Sequence, residues 1–335
     1  MHDLHRKRLL LAGRIAVWAV VIGCVGLFAR NLRWHAVRAS FAAADPLLLL
    51  AATALWVPCI ALQGTRWFSL VRAVKPVRLV TVVACAYVGQ AASAVLPMRA
   101  GEAVRTELLS RSAHLSRAVA LGTVAIDHTV NGFVMFLLAA TLPFFLPVPL
   151  WTRVVVWCGA GVAIALVAVM LRLARKPSDR IHPPGKLMDA VRRLRGGLIG
   201  LRRPRAALGA LAAAAAAWTL EIVTTMTALA AFHLPHGIAP AVAVLLGVNL
   251  ALAIPAPPAN LGNFELGAGF ALVALGGQND QAAAFALAYH ALQNLPTLLV
   301  GALFLPRFRR RQLVAAAHVA AHPSEVEEIR AQLPG

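Results

Sequence analysis

Charged residues are scarce in this chain, and acidic ones are the scarcest. Only 13% of the 335 residues carry a charge, whereas 60% are hydrophobic, which excludes an ordinary soluble domain and is typical of a polytopic membrane protein. The four cysteines, Cys24, Cys59, Cys85 and Cys158, lie within apolar runs and lack metal-ligand spacing. The sequence therefore predicts no disulfide and no metal site.

Basic residues outnumber acidic ones by 32 to 13, which gives a net charge of +19. They lie in the loops between apolar runs and are not interleaved with aromatic residues, so nucleic acid is not expected as a partner. Positive residues favour cytoplasmic loops, and the segment 172–205 alone carries eleven Lys or Arg. We therefore place 172–205 in the cytoplasm, against an anionic lipid surface. Counting outward, the arginines at 30–38 fall outside and are the one exception.

Long apolar runs account for most of the chain, and each is long enough to cross about 30 Å of hydrocarbon. The first run follows Arg6, Lys7 and Arg8 but lacks a small-residue cleavage site, so it is interpreted as an anchor and not as a signal peptide. Spans are predicted at 9–29, 46–63, 118–142, 151–173, 206–231 and 281–306, and two further runs, 79–96 and 238–255, each stop at a proline.

Two proline-rich breaks bring charged residues into this apolar chain, at Pro97–Arg105 and Pro255–Glu265. A charge at the bilayer centre costs roughly 3 kcal/mol, so such residues usually face a bundle interior or a wet cavity. By loop parity the first broken pair enters from the cytoplasm and the second from outside. Each half then reads as span, span, broken pair, span, in opposite orientations, which is a design of secondary transporters.

The predicted fold is therefore all-α: a polytopic membrane protein of about eight transmembrane helices plus two re-entrant broken-helix pairs, arranged as inverted repeats. We expect one integral membrane domain, 1–335, in a plasma membrane of the bacterial inner-membrane type, with both termini cytoplasmic. Within it, repeat one is 9–142, repeat two is 151–306, the basic cytoplasmic loop is 172–205 and the cytoplasmic tail is 307–335.

The first break contains three candidate site residues: Arg99, Glu102 and Arg105. On a helix opened by Pro97 they share one face at spacings of three and six, which predicts a charge-compensated ladder. The free N–H groups of the first turn attract anions, so these arginines would suit a lipid phosphate. The alternative is a short cytoplasmic loop whose charges are merely solvated.

Further candidates lie in the remaining polar positions of the apolar runs. Glu265 follows Asn263, which is predicted to cap the helix, so it binds a ligand or is a first-turn carboxylate stabilised by the dipole. Glu221 lies midway along a span, so it carries a proton or pairs across the bundle. Asp127 and His290 belong to polar clusters at helical spacing, which contact the ligand or join helices. Three glycines are interpreted as close-packing positions: Gly247, Gly267 and Gly269.

Four of these segments, taken in order, resemble the lysylphosphatidylglycerol synthase transmembrane region, also called the flippase-like family, over nearly all of 9–306. The resemblance implies a polytopic bundle that moves or handles lipids, with the broken segments lining the lipid path. The segments are Leu96-Pro-Met-Arg-Ala-Gly-Glu-Ala-Val-Arg105, Leu115-Ser-Arg-Ala, Pro257-Pro-Ala-Asn-Leu-Gly-Asn-Phe-Glu265 and Tyr289-His-Ala-Leu-Gln-Asn-Leu-Pro296. The chain departs from the family at Asp127-His128 and Asn131, where Glu-Arg and Asp are common, and at Pro258-Ala-Asn260, where a Pro-Gly turn is common.

The sequence thus favours a flippase-like carrier, alone or as a homo-oligomer, that moves a phosphate-bearing amphiphilic lipid between leaflets. Arg99 and Arg105 would hold the phosphate, Glu102 would compensate them, and Glu265 with Glu221 would face an amine or take a coupling proton. About two dozen residues follow Arg311, too few for the aminoacyl-transferase domain of some relatives.

We therefore expect neither an enzyme nor a cofactor. Two alternatives stay open. One is a membrane-embedded transferase or accessory subunit in polyprenyl-phosphate, glycolipid or hopanoid metabolism; no Asp-x-x-Asp motif or His-rich loop supports it. The other is a scaffold that only binds anionic lipid.

Overall fold

The structure, a computed structural model, describes residues 30, 33–96, 100–145, 150–175, 196–253 and 258–321. Throughout these ranges the backbone forms helices and connecting turns without a strand, so the predicted all-α class is confirmed. The predicted first span, the middle of the basic loop, and the prolines Pro97 and Pro255 lie outside the described residues.

The helices follow the apolar runs closely, and a 3-10 turn at Pro258–Asn260 precedes the helix Asn263–Ala274. Those long and apolar enough to cross a membrane, by length and composition, are α2, α5 and α9, which makes the chain a polytopic membrane protein. The total of about eight spans stays a prediction. The helices are α1 Trp34–Ala42, α2 Pro46–Val74, α3 Leu79–Val95, α4 Gly101–Ala113, α5 Arg117–Ala139, α6 Leu142–Phe145, α7 Leu150–Arg175, α8 Ile199–Arg202, α9 Pro204–Ala231, α10 Ile238–Ala251, α11 Asn263–Ala274 and α12 Asn279–Ala321.

Local sequence explains where these helices begin and end. Asp45 caps α2 by accepting the N–H groups of Leu47 and Leu48, and Ser116 caps α5 in the same way. Helix α4 ends at His114, which takes the left-handed conformation common after a helix. Helix α2 continues to Val74, so the predicted end of that span at residue 63 is wrong.

Helices α2 and α9, the second spans of the two predicted repeats, pack against each other and run antiparallel. Near one end, the N–H of Asp45 donates to the carbonyl oxygen of Ala231 over 2.8 Å. Farther along, the thiol of Cys59 donates to the carbonyl oxygen of Ala217 over 3.5 Å. The beginning of α2 therefore lies beside the end of α9, which is the relation that an inverted repeat requires.

The two helical hairpins, α3–α4 and α10–α11, enter the bundle from opposite ends. The first lies between the end of α2 and the start of α5, and Lys75 Nζ donates to the carbonyl oxygen of His114 across its open end, 3.2 Å away. The second lies between the end of α9 and the start of α12. Because α2 and α9 are antiparallel, the hairpins point toward each other from the two ends of the bundle.

Each hairpin closes through a pair of glycines. A methyl group added to Gly101 would lie 1.9 Å from the carbonyl oxygen of Gly89, and one added to Gly247 or Gly267 would lie 2.5 Å from the other's carbonyl oxygen. The predicted packing role is therefore confirmed for Gly247 and Gly267. It is wrong for Gly269, where a methyl group would meet nothing within 4 Å.

The arginines at 30–38, which the count of spans placed outside as an exception to the charge rule, include one with a partner. The guanidinium of Arg33 pairs with the carboxylate of Asp280 in the first turn of α12. Asp280 is buried, whereas the side chain of Arg33 is 80% exposed. An ion pair with a buried carboxylate can hold an arginine in place, and the charge rule does not take such a pair into account.

Candidate functional site

A polar cavity of about 230 Å³ lies where the inner ends of the two hairpins meet. The first hairpin reaches it with Ser93 and Glu102, and the second with Leu252 and Phe264. Side chains of α2, α5, α9 and α12 complete its wall. The two breaks predicted from the sequence thus contribute to one site, in the middle of an apolar bundle.

Asp127 on α5 joins two arginines directly behind this wall. Its carboxylate is fully buried and accepts from Arg66 Nε at 2.7 Å and from Arg105 Nη1 at 3.3 Å. The same Arg66 donates from Nη1 to Asn131 Oδ1. Buried charges persist when they are paired and hydrogen-bonded in this way.

Arg66 was missed in the sequence because the predicted span ended before it. The signal was present, since apolar residues continue past Gly64 through Trp67, Leu70 and Val71, all of which are buried in the structure. Arg66 therefore belongs to a membrane helix, α2, and not to a cytoplasmic loop. It lines the cavity together with Gln63 of the same helix.

Arg105 has a neighbouring group at each of its three guanidinium nitrogens. Its Nε lies 2.6 Å from Glu102 Oε2 in an ion pair, Nη1 donates to Asp127, and Nη2 lies 3.0 Å from His128 Nε2. The guanidinium also lies over the ring of Trp67, 4.9 Å from its centroid. The predicted pairing of Glu102 with Arg105 is confirmed, whereas Arg99 lies outside the described residues. A phosphate at Arg105 would compete with these neighbours.

Glu265 pairs with a histidine that sequence reasoning did not connect to it. One carboxylate oxygen lies 2.5 Å from His290 Nδ1, and the other accepts the N–H of Gly262 at 2.7 Å. His290 Nε2 faces the carbonyl oxygen of Ala259 at 2.7 Å, and its ring stacks on Phe264. Because a carbonyl only accepts, Nε2 carries a hydrogen, and the proton between Nδ1 and the carboxylate is shared by the pair.

The predicted capping role of Asn263 is wrong. The structure places Gly262 at the cap of α11, with a φ of 85°, which glycine adopts at no steric cost. Asn263 is the first helical residue instead, and its Nδ2 donates to the carbonyl oxygen of Ala251 at 3.2 Å. It therefore ties the start of α11 to the end of α10 and lies behind the cavity wall.

The two halves place similar groups at the cavity. Glu102 lies 3.1 Å from His128 in the first half, as Glu265 lies beside His290 in the second. Each half also supplies a tryptophan from its second helix, and Glu221 follows one turn after the tryptophan of α9. Under the predicted repeat, the corresponding residues would be Glu102 and Glu265, His128 and His290, and Trp56 and Trp218.

The predicted site residues thus fall into two layers. Glu102, Arg105, Glu221 and His290 line the cavity. Asp127, Glu265 and Asn263 lie behind them and hold them in place. Within the part of the chain that the structure describes, no group of three His, Cys, Asp or Glu side chains is arranged to hold a metal ion.

Comparison with known proteins agrees with this architecture. No curated protein matches the chain closely enough to be counted as a relative. The family described as the lysylphosphatidylglycerol synthase TM region matches residues 12–301, a range that contains both hairpins and every cavity residue. The chain is therefore an integral membrane protein of lipid-metabolism or flippase type, and it belongs to the lysylphosphatidylglycerol synthase transmembrane-region family.

Proposed function

We propose that this protein binds an amphiphilic lipid by its headgroup in the central cavity and moves it between the two leaflets without a chemical step. The observation that supports the proposal is the meeting of two hairpins, which lie at opposite ends of the antiparallel α2–α9 pair, at one polar cavity. A headgroup crossing the bilayer needs polar contacts at the midplane, because hydrocarbon offers none. Broken helices at a repeat interface are where secondary transporters place their substrates.

The size of the cavity supports the binding of a headgroup alone. Its volume of about 230 Å³ lies just below the range of roughly 300–1,000 Å³ that is common for small-molecule sites. The acyl chains would stay in the bilayer while the headgroup crosses the protein.

The carboxylate–histidine pairs at the hairpin tips supply groups that can respond to the headgroup. The pair Glu265–His290 holds the second hairpin against α12, and Glu102–His128 holds the first against α5. Making and breaking these pairs would couple the movement of the hairpins to the passage of the lipid or to the transfer of a proton. Glu221 would accept a hydrogen bond from a donor on the lipid. We assign a phosphate of the headgroup to the first break, where Arg99 and Arg105 would bind it. At Arg105 the phosphate would replace one of the groups that now contact the guanidinium.

We place the protein in a bacterial-type plasma membrane, with 172–205 and both termini cytoplasmic. The basic side of the bundle would then rest on anionic lipid. Single chains and homo-oligomers are both compatible with this arrangement, because the cavity is built from one chain.

The test is reconstitution of the purified protein in vesicles that contain tail-labelled lipids, with exchange between leaflets followed by reduction of the outer label. Wild type should accelerate exchange, and Glu265→Gln should slow it about tenfold or more, because the amide keeps the contact to the Gly262 N–H but cannot share a proton with His290. Glu107→Gln is the matched control, since Glu107 is paired at the surface with Arg111 and Arg117. Exchange no faster than in empty vesicles would refute the proposal, and covalent conversion of the lipid would indicate the transferase.

A further inference from the structure

Three carboxamides in the cavity wall present free acceptors. The NH₂ group of Gln90 donates to Gln63, and those of Asn249 and Asn294 donate to main-chain carbonyls of their own helices, at 2.9 and 3.0 Å. Within the described ranges no side chain or N–H donates to the three amide oxygens. Each amide is therefore oriented by the chain and keeps one acceptor for a ligand.

A free donor and a free acceptor lie one turn apart on α9. The indole Nε1 of Trp218 has no hydrogen-bond partner among the described residues, although the side chain is only 4% exposed. Glu221, which lines the same cavity, receives no hydrogen bond there either. Trp56, the corresponding residue of the first half, donates to Thr297 Oγ1 at 3.1 Å. A buried donor without a partner costs about 1–3 kcal/mol of free energy. A ligand that accepts a hydrogen bond from Trp218 would remove this cost.

No unpaired cation reaches the cavity from the described residues. Both arginines of its wall are charge-paired, Arg66 with Asp127 and Arg105 with Glu102 and Asp127. A phosphate would therefore have to compete with these carboxylates for the arginines. An ammonium group only donates, and would leave the N–H of Trp218 unsatisfied.

A hydroxyl group both donates and accepts, and it matches this mixture of free groups. We propose that the part of the headgroup held in the cavity is uncharged and rich in hydroxyls, as in a polyol or a sugar. Its hydroxyls accept from Trp218 Nε1 and donate to Glu221 and to the carboxamide oxygens. This inference rests on the proposed function and narrows its substrate class. A phosphate on the same lipid, where there is one, stays assigned to the first break, on the side of the cavity that Arg105 lines.

Binding measurements separate the headgroup chemistries. Four labelled lipids with the same tails are titrated into the purified protein in detergent: glucosyl diacylglycerol, phosphatidylglycerol, phosphatidate and phosphatidylethanolamine. At least one of the two hydroxyl-rich lipids should bind about tenfold or more tightly than phosphatidate and phosphatidylethanolamine. If only glucosyl diacylglycerol binds more tightly, the headgroup in the cavity is a sugar. If only phosphatidylglycerol does, it is the glycerol of a phospholipid. The inference would be overturned if phosphatidate or phosphatidylethanolamine bound as tightly as both hydroxyl-rich lipids.

Trp218→Phe tests the assigned contact, because it removes the N–H and keeps the ring. Binding of the preferred lipid should weaken about five- to tenfold, the effect of one lost hydrogen bond, while phosphatidate binding stays unchanged. Thermal stability should not fall, since no protein hydrogen bond is lost. Trp157→Phe, at a side chain 54% exposed on α7, is the control and should change neither quantity.

Should Trp218→Phe fold poorly, Glu221→Met removes the neighbouring acceptor at similar volume and should give the same selective loss. An equal loss for all four lipids would contradict the contact. Selective binding without leaflet exchange would refute the transport proposal alone. Exchange with equal affinity for all four lipids would refute the headgroup inference alone.

Discussion

At the residue scale, the cavity depends on one carboxylate shared by two guanidinium groups. Asp127 contacts Arg66 and Arg105 with no exposed surface of its own. The three groups leave a single positive charge, which Glu102 compensates at the cavity wall. Losing one partner of a buried ion pair leaves an uncompensated charge in a medium that solvates it poorly.

We predict that Asp127→Asn destabilises the protein by about 3–5 kcal/mol, the cost of breaking a buried pair. The measurement is the thermal unfolding of the purified protein in detergent, followed by the loss of monodisperse material. Glu107→Gln makes the same chemical change at an exposed pair and should leave the unfolding temperature unchanged, because surface ion pairs contribute little. Equal unfolding temperatures for the two variants would show that Asp127 is not the centre of the cluster.

Contacts within one helix were predictable from the sequence at this scale, and contacts between helices were not. Glu102 and Arg105 are three residues apart on α4, so helical spacing alone brings them together. Arg66 with Asp127 and Glu265 with His290 join different helices, and their pairing depends on packing that no local pattern contains. The sequence did single out Asp127, Glu265 and His290, because polar residues in apolar runs need partners.

At the element scale, the hairpins are set by glycines at which backbone meets backbone. Gly101 faces the carbonyl oxygen of Gly89, and Gly247 faces that of Gly267. Main-chain atoms cannot rotate away as a flexible side chain can, so a methyl group at these positions would push the two arms of a hairpin apart. The tip residues that line the cavity would move with them.

We predict that Gly247→Ala and Gly101→Ala lower the yield of folded protein and abolish lipid exchange. Gly269→Ala is the control on the same hairpin, since its methyl group would meet nothing within 4 Å. It should be neutral or stabilising, because alanine favours a helix over glycine by about 1 kcal/mol. Folded yield from size-exclusion chromatography and the exchange rate are the two readouts. Normal exchange in Gly247→Ala would show that the arms tolerate separation.

The existence of both hairpins could be predicted from prolines that interrupt apolar runs, but their detailed geometry could not. The cap of α11 falls at Gly262 and not at Asn263, because the choice depends on a positive φ that the sequence does not reveal. The end of α2 at Val74 is different, because the apolar residues that follow Gly64 indicated it, whereas the buried partner of Arg66, Asp127, could not be predicted.

At the scale of the whole molecule, the antiparallel packing of α2 and α9 and the opposed hairpins agree with the inverted orientation predicted from charge. Single cysteines at Pro235 and Gln278, in a background without the four native cysteines, should react with an impermeant thiol reagent from outside. One at Pro76 should not, because it lies at the opposite end of the bundle, beside the end of α2. All three positions are exposed, so burial does not explain a difference. External labelling at Pro76 in intact cells would contradict the assigned orientation.

The distribution of the ion pairs has a consequence for how the chain is made. Among the described residues, every buried pair closes within one half: Asp127 with Arg66 and Arg105 in the first, and Glu265 with His290 in the second. The pair that joins the halves, Arg33 with Asp280, places its arginine in water. During synthesis, the first half can therefore form its buried ion pairs before α9 leaves the ribosome. The association of the two halves then requires helix packing but no new buried ion pair among the described residues.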